Sequence, residues 1–131
     1  MNPCCIRFMA IMALSSIISS CNTEKDSPDY RDEFVGEYFG IRTNSSWMLG
    51  EPGTSSQVED TVLVVAVGDS LLRIDGTEIP IGPDGYFFEY RGGSASSYYS
   101  AEFSQGDSLT TELNGGGLGG GYHSTFQGKK Y

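Results

Sequence analysis

The chain has 131 residues, a formal net charge of −9, and a composition that is 38% hydrophobic and 12% aromatic. That length bounds it to one domain with a single core. The acidic balance repels phosphate backbones and anionic headgroups, which argues against nucleic acid as a partner.

Residues 1 to 20 hold one charge, Arg7, then an apolar run from Phe8 to Ile18, then Ser19 and Ser20 directly before Cys21. This is the layout of a secretory signal, with a short basic end, an apolar stretch and small residues at the cleavage point. The apolar run is about half of the roughly 20 residues that a membrane-spanning helix needs. Ile18, Ser19, Ser20 and Cys21 resemble a lipobox, in which an aliphatic and two small residues precede a cysteine whose sulfur takes a diacylglyceryl group. The resemblance implies that Cys21 is lipidated, with palmitate-type acyl chains, and becomes the mature N-terminus.

Cys4 and Cys5 lie inside the expected signal, so Cys21 is the only cysteine that would remain. No internal disulfide can form, and the domain must be held by its core alone. Loss of Arg7 leaves 7 basic against 17 acidic residues, so membrane attachment rests on the acyl chains. Two or three chains anchor stably where one binds only marginally.

The segment NTEKDSPDYRDE, residues 22 to 33, contains one aromatic and no aliphatic residue. It cannot bury enough apolar area to offset its ordering entropy, and reads as a flexible acidic tether spanning about 20 Å on average. Its cluster Glu24, Lys25 and Asp26 is similar to signals that place some Gram-negative lipoproteins on the outer face. The expected location is the cell envelope, at the outer membrane.

From Phe34 to Tyr131 apolar residues recur with a period of two, in short runs separated by glycine-rich turns. The spacing predicts an all-β domain. Strands are expected over residues 34–43, 58–67, 70–75, 77–81, 86–91, 98–103, 108–114 and 122–129. Val62 to Val67 is apolar on both faces and is expected to be the most buried strand. Elsewhere the alternation is clean: Leu72 and Ile74 oppose Arg73 and Asp75, and Tyr99, Ala101 and Phe103 oppose Ser100 and Glu102. Gly68 with Asp69, Gly106 with Asp107, and the run from Gly82 to Gly85 supply hairpin turns. Pro80 lacks an amide hydrogen and places its strand at an edge or bulge. About eight sequential strands fit a single antiparallel up-and-down barrel, with a two-sheet sandwich as the alternative.

The opening FVGEYFG, Phe34 to Gly40, resembles the first strand of lipocalin-like barrels, with Gly36 and Tyr38 at the motif positions. The closing FQGKKY, Phe126 to Tyr131, is similar to the last strand of small lipobox lipoproteins. The resemblance implies a lipocalin-like barrel that carries a small apolar or glycan ligand.

Three motifs invite chemistry and are better explained structurally. GDSL occurs at Gly68 to Leu71 and at Gly106 to Leu109, the namesake of serine esterases, but both serines leave hairpin turns rather than opening a helix. The chain's only histidine, His123, has no aspartate in the preceding eight residues to orient it. The glycines 115, 117 and 120 formally match a dinucleotide loop, yet a β-patterned segment follows where a helix must start. They read as a flexible connector or as a place where backbones approach closely. No metal or cofactor site is expected.

The aromatics are the remaining candidates for binding. Tyr86, Phe88 and Tyr90 share a parity opposite to Phe87. Trp47, in a polar loop, Tyr86 and Tyr98 are expected to face solvent as ligand contacts, with Phe88 and Tyr99 in the core. The expected function is a membrane-anchored, non-catalytic binding or scaffolding module. A cavity lined by Tyr38, Phe88 and Tyr99 would mark a carrier, a filled barrel with an exposed aromatic patch a protein-interaction module, and a serine beside His123 a hydrolase.

Overall fold

The computed structural model describes residues 29–93 and 95–131. The expected signal, the lipobox residues with Cys21, and residues 22–28 of the tether lie outside them.

A 3-10 turn, Tyr30–Glu33, leads into eight strands: β1 (Gly36–Met48), β2 (Thr54–Val67), β3 (Leu71–Ile74), β4 (Thr77–Pro80), β5 (Tyr86–Arg91), β6 (Ser96–Ser104), β7 (Ser108–Gly117) and β8 (Gly120–Lys130). They form one antiparallel sheet ordered β4-β3-β2-β1-β8-β7-β6-β5. The meander curls until its first strand pairs with its last, leaving β4 and β5 as the two edges of a nearly closed barrel. Pro80 ends the edge strand β4, where a missing amide hydrogen removes no ladder bond. The sandwich alternative is therefore set aside.

The core is the set of inward positions that the period-two pattern supplies. Tyr38, Val62, Val64, Leu72, Ile74, Ala101, Leu109 and Phe126 are all essentially fully buried. Tyr38 packs edge-on against Phe103, with ring centroids 5.8 Å apart, and its hydroxyl donates to the Phe34 carbonyl at 2.9 Å. Phe34 stacks on Phe103 at 4.7 Å and plugs the same end. Arg31 closes it further, pairing with Asp29 and donating to the carbonyls of Gly68 and Leu71 at 3.0 and 3.1 Å. Residues 29–33, expected to belong to the tether, are thus packed onto the closed end of the barrel.

The other end is open because the β3–β4 hairpin is short. Asp75 and Gly76, with φ of 53° and 80°, turn the chain in two residues, the geometry of a primed hairpin. β3 pairs with β2 only over Val64 to Val67. The barrel wall between β2 and β5 is therefore lower there, with four residues in each of β3 and β4 against 14 in β2.

Several expectations are corrected by this architecture. Val62 and Val64 are buried but Leu63 is 55% exposed, since a single curled sheet puts no second layer outside β2. β1 and β2 run further than their apolar patterns, through a ladder of serines and threonines paired from Thr43 with Gln57 to Ser46 with Thr54. The glycine run is not a flexible connector but the end of the β7–β8 ladder, pairing Gly115 with Tyr122 and Gly116 with Gly121. A Cβ on Gly115 would lie 2.6 Å from the Tyr122 ring, and one on Gly116 would lie 2.9 Å from the Gly120 carbonyl. Close approach is what requires these glycines.

Candidate ligand pocket at the open end

Above the packed core, the inward positions change character from apolar to polar. β1 contributes Arg42, the β3–β4 turn Asp75, β4 Thr77, β5 Glu89 and Arg91, β6 Ser97 and Tyr99, β7 Thr111 and Leu113, and β8 Tyr122 and Ser124. These residues line a cavity of about 250 Å³. Strand register places them together. Glu89 sits opposite Tyr99 and Arg91 opposite Ser97, while Tyr99 faces Leu113, which faces Ser124.

Arg42 forms the floor. Its guanidinium lies 5.4 Å from the centroid of the Phe126 ring, a cation–π contact that marks the boundary with the core. It bridges the carboxylates of Asp60 and Asp75, tying the tip of the short hairpin to β1 and β2. Burial works against the Arg42 charge, but the two carboxylates outweigh it and hold its pKa above the ordinary guanidinium value. The hydrogen bond from Arg42 holds Asp60 below the usual carboxylate range. Arg91 is paired with Glu89 at 2.7 Å on the same strand.

Among the described residues, one buried side-chain polar group in this set is unpaired. The Tyr99 hydroxyl is buried and has no hydrogen-bond partner. Burial, with Asp75 adding to it and Arg42 opposing, pushes its pKa up to about 12, and burial does the same to Tyr38. Both phenols ionise near 10 in an unfolded chain, so the unfolded state loses protons first. Stability contributed by these groups is fully present below pH 10 and is lost as pH rises from 10 through 12. Urea midpoints should fall across that window, and the fall should be shallower in Tyr38→Phe and Tyr99→Phe; an equally steep fall in both would contradict the assignment.

The candidate residues from sequence divide around the wall. Tyr99 faces inward as expected, packed against the core with its ring centroid 6.3 Å from that of Phe87, and it also lines the cavity. Phe88 does not: it is on the outer face and 51% exposed, because Phe87 takes the inward position opposite Ala101. Tyr86, also 51% exposed, lies on that outer face. Tyr98 borders the cavity, but its ring stacks on Phe88 at 5.7 Å and its hydroxyl donates to Glu112. That bond lowers the Glu112 pKa and raises that of Tyr98. Trp47 lies within β1, not in a loop, half exposed and packed over Gly121, where a Cβ would come 2.8 Å from the indole nitrogen.

The cavity lined by Tyr38, Phe88 and Tyr99 does not form, because those three residues occupy the core, the outer face and the pocket. His123 sits on the outer face of β8, with Nε2 2.9 Å from Glu112. Ser70 lies in the β2–β3 turn and Ser108 opens β7, both at the closed end, and Ser108 donates to Asp107 at 2.8 Å.

The residues that sequence reasoning missed are Arg42, Asp75, Glu89 and Arg91. A signal was present: once Phe87 is taken as inward, alternation puts Glu89 and Arg91 on the same side, and charges at core parity are seldom without a partner or a role.

Fold and site together define a small meander barrel, filled at one end and holding a polar half-open pocket at the other. The chain matches no protein-family model and no curated protein. Among the described residues, no helix is long and apolar enough to cross a membrane.

Proposed function

We propose that this protein is a lipid-anchored envelope module that binds a small ligand in the open-end pocket rather than transforming it. The observation that carries the reading is the cavity itself, about 250 Å³ and lined by paired charges and hydroxyls, with the buried Tyr99 hydroxyl left unsatisfied. An orphaned buried hydroxyl costs about 1–3 kcal/mol, which a bound ligand can recover. Among the described residues the lining holds one aliphatic side chain, Leu113, which disfavours a purely apolar cargo.

Attachment is assigned to acyl chains on Cys21. Asp29 is eight residues along the chain from Cys21, a reach of about 28 Å at full extension. The described chain enters the barrel at its closed end, opposite the pocket.

A second reading has its own support. Tyr86, Phe88 and Tyr90 are each at least half exposed, with Phe88 stacked on Tyr98, forming an aromatic patch on the outer face of β5 and β6 suited to a protein partner.

Two measurements test these assignments. Cys21→Ser should abolish incorporation of a fatty-acid analogue, and label retained in the variant would remove the anchor. Amide shifts in the NMR spectrum, recorded with a panel of small polar compounds, should concentrate at Asp75, Glu89, Ser97 and Ser124. Shifts confined to Tyr86 through Tyr90 on adding envelope protein extract, with none in the pocket, would favour the second reading.

A further inference from the structure

Resting on the pocket reading, we infer that the ligand is a neutral, hydroxyl-rich ring of monosaccharide size, held with one of its oxygens on the Tyr99 hydroxyl. Size is the first ground. A cavity of about 250 Å³ falls below the roughly 300–1,000 Å³ of pockets for drug-sized ligands, and corresponds to about eight waters at liquid density. That is room for one ring with its substituents.

Charge is the second ground. Each guanidinium in the lining is already neutralised, Arg42 by Asp60 and Asp75, and Arg91 by Glu89. A phosphate or carboxylate would have to displace those carboxylates, and with three acids against two arginines the site gives an anion no surplus attraction. A cation would have to displace the arginines. A neutral polyol breaks neither pair: its hydroxyls donate to Asp75 and Glu89 while its oxygens accept from Arg91 and from the serine and threonine hydroxyls. Bonds between neutral donors and ionised acceptors are among the stronger ones available to an uncharged ligand.

The third ground is the unsatisfied phenol. Tyr99 lies one strand from Glu89 and one from Leu113 in register, at the level where the lining turns polar. Its hydroxyl lacks a partner but is closed to solvent, while the residue itself lines the cavity, so the bond forms only as the ligand turns the phenol toward the cavity. Tyr122, 47% exposed at the rim, presents a phenol ring against which the C–H face of a sugar ring can pack.

The test uses the full chain in detergent micelles, titrated separately with glucose, galactose and N-acetylglucosamine as neutral probes, inorganic phosphate as the anion, putrescine as the cation and indole as the apolar compound. The expected result is a saturable shift of the Asp75, Glu89 and Ser97 amides with at least one monosaccharide. Tyr99→Phe should weaken that binding about tenfold or more. Because the hydroxyl has no partner in the free protein, the same variant should melt no lower than the parent, so weaker binding cannot be attributed to misfolding. Saturable shifts at these amides with phosphate, putrescine or indole alone would overturn the ligand class and leave the pocket standing. Absence of saturable shifts with every probe would overturn both. Monosaccharide binding unchanged in Tyr99→Phe would overturn the assigned role of the hydroxyl.

Discussion

Tyr38→Ala is expected to destabilise the barrel by about 3–5 kcal/mol, the usual range for deleting a large buried aromatic. The ring is fully buried, wedged against Phe103 between β1 and β6, and no neighbour can fill its volume without moving a strand. Its loss also frees the Phe34 carbonyl that the hydroxyl now satisfies. Against a total stability of roughly 5–15 kcal/mol, such a loss leaves a fold that is marginal at best. Tyr38→Phe separates the two contributions, since it keeps the ring and removes one hydrogen bond, at about 1 kcal/mol. Urea unfolding of the two variants is the measurement, with an unchanged slope as the sign that only stability has moved. Phe88→Ala is the comparison. Half exposed and stacked only on Tyr98, it should cost about 0.5–1.5 kcal/mol. If Phe88→Ala cost as much as Tyr38→Ala, the inward and outward assignments of β1 and β5 would both be in question.

These two residues also show where the sequence could and could not be read. Tyr38 lies in a stretch with glycines at 36 and 40 and resembles an opening barrel strand, and it is the centre of the closed end. Phe88 lies in YFFEYR, Tyr86 to Arg91, where aromatics occupy both parities. Period two says which residues share a face but not which face is inside, and only pairing with Ala101 settles that Phe87 points in. All eight strands were legible because Leu72 with Ile74, Ala101 with Phe103, and Leu109 alternate against polar neighbours. The reach of β1 and β2 beyond residues 43 and 58 was not, since a ladder of serines and threonines has no hydrophobic signal. The pocket was hidden for a further reason. Arg42, Asp75 and Glu89 are far apart in the chain, and what joins them is the short turn at Asp75 and Gly76 and the pairing of the first strand with the last. Neither is local in sequence.

Gly40→Ala adds a single methyl, yet its cost should lie at or above the upper end of the roughly 1–3 kcal/mol typical of overpacking. Gly40 pairs with Gly128 across the β1–β8 ladder, the contact that turns an open meander into a nearly closed barrel. A Cβ at Gly40 would fall inside contact distance of the Gln127 carbonyl oxygen and the Gly128 Cα. Both are backbone atoms of a paired strand, so relief requires β1 and β8 to part rather than a side chain to rotate. The backbone at Gly40 is not in the left-handed region, so the whole effect is steric. Gly128 is constrained too, since the Phe126 ring lies over it and a Cβ there would fall inside contact distance of that ring and 3.0 Å from the Phe39 carbonyl oxygen. That ring is the surface on which Arg42 rests, and Arg42 in turn holds Asp60 and Asp75. Two facing glycines thus make room for the layer that separates packed core from pocket. Gly119→Ala is the control: it lies in the β7–β8 turn with nothing near its Cβ direction, and should change stability by no more than about 0.5 kcal/mol. Urea midpoints of the two alanine variants decide the matter, and a Gly40→Ala protein as stable as Gly119→Ala would mean that β1 and β8 do not approach as closely as their pairing requires.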